Sequence, residues 1–140
     1  MNRRLLGELI GLARATEGNE HLISEGSTAV IAECLSSLDT LDAPKLEALL
    51  QRVEEEKRRM VPNCFQCAAP CGRNNAFDLR LLQNEEPETR ELKAQILSGL
   101  PVLAVQRGLQ AAPVYYQALI ALGIEGIDPE ILRSILLKMR

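Results

Sequence analysis

An all-α helical bundle of about five to six helices, with an irregular cysteine-containing loop in its middle, is the fold this sequence predicts. Three observations lead there. Aromatic residues make up only 3% of the 140 and Trp is absent, so the composition favours helices over strands, which draw on β-branched and aromatic side chains. Apolar residues recur at helical spacing along most of the chain. Finally, an Asp, Glu or Ala next to a Pro four times marks a helix start, where proline's missing donor is not needed. The length fits one domain over residues 1–140, large enough to bury a core without disulfides.

Leu5, Leu9, Leu12 and Ala13 keep helical spacing until Glu17-Gly18-Asn19 interrupts. Periodicity resumes with Leu22, Ile23, Val30, Ile31, Cys34, Leu35 and Leu38. Gly26 in that segment either weakens the helix by about 1 kcal/mol or marks a close helix contact. Asp42-Ala43-Pro44 opens the next helix, with Leu46, Leu49, Leu50, Val53 and Met60 on its apolar stripe. Pro62 stops it and begins the cysteine loop, over about 62–77. Asp78 to Leu82 reads as a short helical turn. Glu86-Pro87-Glu88 starts a helix that buries Leu92, Ile96, Leu100, Leu103 and Ala104, with a kink or break expected near Pro101. Ala112-Pro113 leads through Tyr115, Leu119 and Leu122 to Gly123, and Asp128-Pro129-Glu130 opens a last helix carrying Ile131, Leu132, Ile135, Leu136 and Met139. Neither repeats nor low-complexity segments occur.

A net charge of -3 and a pI near 5.3 argue against broad nucleic-acid binding, which needs a concentrated basic surface. The basic run Lys57-Arg58-Arg59 follows Glu54-Glu55-Glu56 and reads as a solvated helix end. No apolar stretch reaches the roughly 18 residues that span a bilayer. The start lacks the clean apolar core of a signal peptide, so no membrane association and a cytoplasmic location are expected. In that reducing setting clustered cysteines point to a metal or redox use rather than a disulfide framework.

The cluster is Cys64-Phe65-Gln66-Cys67-Ala68-Ala69-Pro70-Cys71-Gly72-Arg73, a C-x2-C-x3-C pattern. Two thiolates separated by two residues can grip one ion or one cluster edge, and such loops offer backbone amides to cluster sulfides. Pro70 stiffens the approach and Gly72 permits unusual backbone angles. Three cysteines leave one ligand position to fill, and Cys34, His21, Asp78 or a group from a second chain are the candidates. On the plain structural reading, Cys34 is a core thiol on an apolar face and His21 a surface or capping residue. A thioredoxin-like use is disfavoured because no βαβ setting surrounds the motif. Radical chemistry on S-adenosylmethionine normally uses the order C-x3-C-x2-C, the reverse of this one. Tyr115-Tyr116 reads as packing, and Glu54 to Glu56 and Glu85-Glu86 as helix surface and dipole partners rather than paired catalytic carboxylates. No phosphate loop, nucleophile elbow or H-E-x-x-H is present.

Cys64-Phe65-Gln66-Cys67, Cys71-Gly72-Arg73, Asp78-Leu79 and the helix from Leu92 to Leu100, followed by Leu122-Gly123 and Ile127-Asp128, resemble the N-terminal region of hybrid-cluster proteins. These are also called prismane proteins or hydroxylamine reductases. The resemblance covers roughly residues 62–140 and implies that Cys64, Cys67 and Cys71 ligate a cubane iron–sulfur cluster. The family's motif carries a further cysteine that this loop lacks, and residues answering to the hybrid cluster's own ligands are missing. Hydroxylamine reduction is therefore not implied, and the chain is expected not to be an enzyme on its own. The leading expectation is an iron–sulfur protein acting as a redox, electron-transfer or sensing accessory, with Cys64, Cys67, Cys71 and Cys34 as the ligand set and a protein partner or homo-oligomer. A structural zinc module and a metal-free helical adaptor are the alternatives.

Overall fold

The computed structural model describes residues 2–17, 20–39, 42–60 and 85–140. Among them are six α-helices and no strand: α1 (Arg3–Ala15), α2 (Glu25–Ser36), α3 (Ala43–Met60), α4 (Pro87–Arg107), α5 (Ala112–Leu122) and α6 (Pro129–Met139). Short 3₁₀ turns at Glu20–Leu22 and Gly108–Ala111 connect α1 to α2 and α4 to α5. The all-α class follows as the composition predicts. The turn expected at 78–82 and the cysteine loop lie outside the described residues.

Asp42 and Asp128 cap α3 and α6 as expected, whereas Asn2 and Ser24, which the sequence did not single out, cap α1 and α2. Asn2 Oδ1 accepts from Leu5 N at 3.0 Å, Asp42 Oδ1 from Lys45 N at 2.9 Å and Asp128 Oδ1 from Glu130 N at 3.0 Å. Ser24 and Ser27 form a reciprocal capping box on α2. Each cap satisfies an amide that the first helical turn leaves without a carbonyl, worth about 1 kcal/mol.

Two features differ from the sequence-based expectation. Gly26 falls in the exposed first turn of α2, and a Cβ there would meet only Ser24 Oγ at 3.5 Å, so it marks no close helix contact. Pro101 does not break α4, which runs unbroken from Pro87 to Arg107. Gly123 does end α5, but with a right-handed φ of -87°. Its role is close approach: a Cβ would lie 2.6 Å from Arg14 Nη2 and 2.9 Å from Ile10 Cγ2.

Polar contacts set the helix directions. The starts of α1 and α3 are paired by Arg4 and Glu47 at 3.2 Å, and Glu8 with Lys57 continues the pairing further along, so these helices run parallel. Ser27 with Glu56 at 2.6 Å and Glu33 with Arg52 at 2.5 Å set α2 antiparallel to α3. The Arg14 guanidinium donates to the Gly123 carbonyl, joining the ends of α1 and α5. Near the start of α4, Lys93 donates to the Ile124 carbonyl just beyond α5, at 2.5 Å. The ends of α1, α3 and α5 and the starts of α2 and α4 therefore share one pole of the bundle. Met60 and Glu85, the described residues flanking positions 61–84, both belong to it.

The core joins Leu5, Leu6, Leu9 and Ile10 of α1 with Ile31 and Leu35 of α2, Val53 of α3, Ile96 and Leu100 of α4, Leu119 of α5 and Leu132 of α6. Leu49, Leu50, Val53 and Met60 are buried as expected, and Leu46 partly so. On α6, Leu132 and Ile135 are buried, but Ile131 is half exposed, at 51%. No helix among the described residues is long and apolar enough to cross a membrane.

Candidate metal centre at one pole of the bundle

The three loop cysteines Cys64, Cys67 and Cys71, and Asp78, lie outside the described residues. The structure does describe the two roots from which their segment departs and to which it returns.

At the first root, Arg59 ties α3 to the beginning of α2. Its Nη1 donates to the Leu22 carbonyl at 2.6 Å, and its Nη2 to Ser27 Oγ at 2.5 Å and Glu56 Oε2 at 2.9 Å. Ser27 Oγ donates in turn to Glu56 Oε2. Burial pushes the Glu56 carboxyl upward, but the hydrogen bonds from Ser27 and Arg59, with the charges of Arg59 and Arg52, outweigh it and hold the group below its ordinary range. Glu56 was expected on solvated surface; instead it is the acceptor at the centre of this cluster. Tyr116 is buried alongside, its hydroxyl near Thr28 without a hydrogen bond of good geometry, and burial raises its pKa. Tyr115 is fully buried and donates to the Gly108 carbonyl. Both tyrosines pack, as their spacing predicts.

The Arg59 contact with Leu22 fixes the 3₁₀ turn that carries His21. That histidine is exposed, one residue from the clamped carbonyl, at the pole where α3 ends. Cys34 is placed differently. It is fully buried in the core and lies seven residues beyond Ser27, about 10 Å further along α2 at 1.5 Å per residue, toward the opposite pole. Burial, assisted by the Glu33 carboxylate and opposed by Arg52, pushes its thiol up to about 12. A neutral core thiol is a poor metal ligand, because the thiolate is the ligating form.

At the second root, Glu85 is not a solvated dipole partner. Its side chain is only 6% exposed and pairs with Lys93, itself 2% exposed, at 2.5 Å. Lys93 also donates to the Ile124 carbonyl, and Gly126 N reaches Glu85 Oε1 at 3.4 Å. One buried ion pair thus fastens residue 85 to the turn between α5 and α6. Lys57, 8% exposed and paired with Glu8, is its counterpart on α3. Sequence reasoning missed both lysines, although Thr89, Lys93, Ile96, Leu100 and Leu103 keep heptad spacing and so does Lys57 between Val53 and Met60.

Among the described residues no three His, Cys, Asp or Glu side chains gather in an arrangement that could hold a metal ion. The described residues thus hold no such group of their own, and Cys64, Cys67 and Cys71 lie outside them. No family model, curated protein or solved structure matches this chain.

Proposed function

We propose that the protein carries an iron–sulfur cluster on the segment between α3 and α4 and serves as a small redox, electron-transfer or sensing accessory. Cys64, Cys67 and Cys71 are the protein ligands, as the resemblance to hybrid-cluster proteins implies. The observation that carries the reading is the C-x2-C-x3-C spacing, supported by the anchoring of both ends of its segment at one pole. Cys34 is not in the proposed set, because its burial and raised pKa oppose ligation. The fourth position falls to His21, to a partner's group or to an exchangeable ligand. When bound, the cluster supplies one-electron chemistry. The chain's own residues hold the thiolates and fix the segment's roots through Arg59 and Glu85.

A protein partner fits this role, and Val102, Val105 and Leu109 leave apolar surface exposed on and just after α4. Cytoplasmic residence and the absence of nucleic-acid binding belong to the same reading. The clamp on the His21 turn favours one second reading, a structural Cys3His zinc site. The test is spectroscopic. Protein isolated without oxygen should show broad visible absorption that Cys64→Ser, Cys67→Ser and Cys71→Ser each abolish and Cys34→Ala does not. A colourless protein whose zinc content depends on His21 would replace the first reading with the second.

A further inference from the structure

A groove of about 710 Å³ runs between α5 and α6, with Ile120 and Ala121 on one wall and Ile131 and Ile135 on the other. Its two ends are charged: Asp128 and Glu130 stand where α6 begins, and Lys138 near its close. Ile131 is 51% exposed, and Leu137, on the far flank of the same helix face, is 68% exposed. At about 100° per residue, Glu130, Ile131, Ser134, Leu137 and Lys138 share one face of α6, with exposed Ser134 at its middle. The helix dipole favours acids in the first turn and a base in the last, but on any face. It does not account for their sharing a face with two exposed apolar residues. Lys138 reaches the Gln117 amide oxygen at 3.3 Å and has no carboxylate partner among the described residues. Glu130 touches Arg133 but stays 78% exposed.

We propose that this face is a homodimer interface in which α6 packs antiparallel against α6 of a second copy, with the two-fold axis at Ser134. The register selects this occupant. Ile131 and Leu137 lie three residues either side of Ser134, and Glu130 and Lys138 four either side. Antiparallel packing about that axis sets Ile131 level with the second copy's Leu137 and Glu130 level with its Lys138, and the symmetry makes each pairing twice. Parallel packing would instead set Glu130 beside Glu130. The small Ser134 lets the two helices approach closely at the axis, the apolar residues supply affinity, and the charges fix direction and register. Nothing in this interface rests on the cluster reading, since its residues all belong to α6.

The experiment is analytical ultracentrifugation of the full chain in reducing buffer, which removes intermolecular disulfides as a source of dimer. A reversible dimer is expected at concentrations up to about 0.5 mM, a range that detects even weak association. Glu130→Lys or Lys138→Glu alone sets like charges level in both symmetric pairs and should weaken the dimer about tenfold. Mixing the two variants restores opposite charges in both pairs, so the mixture should associate more tightly than either variant alone. Ser134→Arg, at an exposed position, brings two cations together on the axis and should give a monomer with unchanged helical circular dichroism. A protein that stays monomeric throughout that range, leaving the groove to a small molecule or a different protein, overturns the proposal. So does a dimer that tolerates Ser134→Arg, or a mixture of the two charge variants that associates no better than each alone.

Discussion

The pair Lys93–Glu85 should behave as one buried unit, and a double-mutant cycle measures whether it does. Lys93→Met removes the ammonium and leaves a carboxylate 94% buried, with Gly126 N at 3.4 Å as its remaining described contact. Glu85→Leu leaves the ammonium, on a side chain 2% exposed, with the Ile124 carbonyl alone. Uncompensated buried charge typically costs about 3–5 kcal/mol, so each single variant should lose roughly that much in urea unfolding followed by helical circular dichroism. The double variant replaces both charges by apolar groups of similar volume and should lose less than either single, often about 1 kcal/mol or nothing. The coupling energy is then at least about 5 kcal/mol, far outside the roughly 0.5 kcal/mol scatter of independent sites. Singles that cost under about 1 kcal/mol, or that add in the double, would refute the burial of this pair and its role in fastening residue 85 to the α5–α6 turn.

Other outcomes follow from the same geometry. Cys34 should escape alkylation by iodoacetamide at pH 8 in the native protein, since its thiol is buried and pushed up to about 12, and should react on unfolding; peptide mass mapping reads both states. Gly123→Ala should lower stability by about 1–3 kcal/mol, because Arg14 can swing aside but Ile10, fully buried, cannot; a thermal melt unchanged from the parent counts against this packing. Glu56 has a folded-state pKa below its ordinary value of 4.5. Its contribution is therefore present above pH 4.5 and lost as pH falls through the folded value. Glu56→Gln should remove that part of the acid sensitivity, and identical stability slopes below pH 4.5 in variant and parent would contradict the Ser27–Glu56–Arg59 cluster.

The helices were legible because their signals are local. Proline and aspartate at the starts act within one turn, and apolar spacing records which face the core covers. Charges on the buried stripe were less so. Lys93 and Lys57 occupy heptad positions, yet their acceptors, Glu85 with Ile124 and Glu8, lie 8, 31 and 49 residues away. No local pattern announces such partners. Gly123 shows the same limit: its place at a helix end was plain, but its reason is the approach of α1, more than a hundred residues earlier in the chain. For the candidate site, spacing singled out Cys64, Cys67 and Cys71, while the clamp that brings the His21 turn to the end of α3 is a tertiary contact. The apolar neighbours of Cys34 did foretell its burial.

The central claim is that the cysteine segment holds an iron–sulfur cluster, and the most direct measurement is iron and acid-labile sulfide in protein purified without oxygen. Iron and sulfide in near-equal amounts, both lost in Cys64→Ser and Cys71→Ser but kept in Cys34→Ala, is the predicted result. Protein carrying neither iron nor sulfide under those conditions would contradict it.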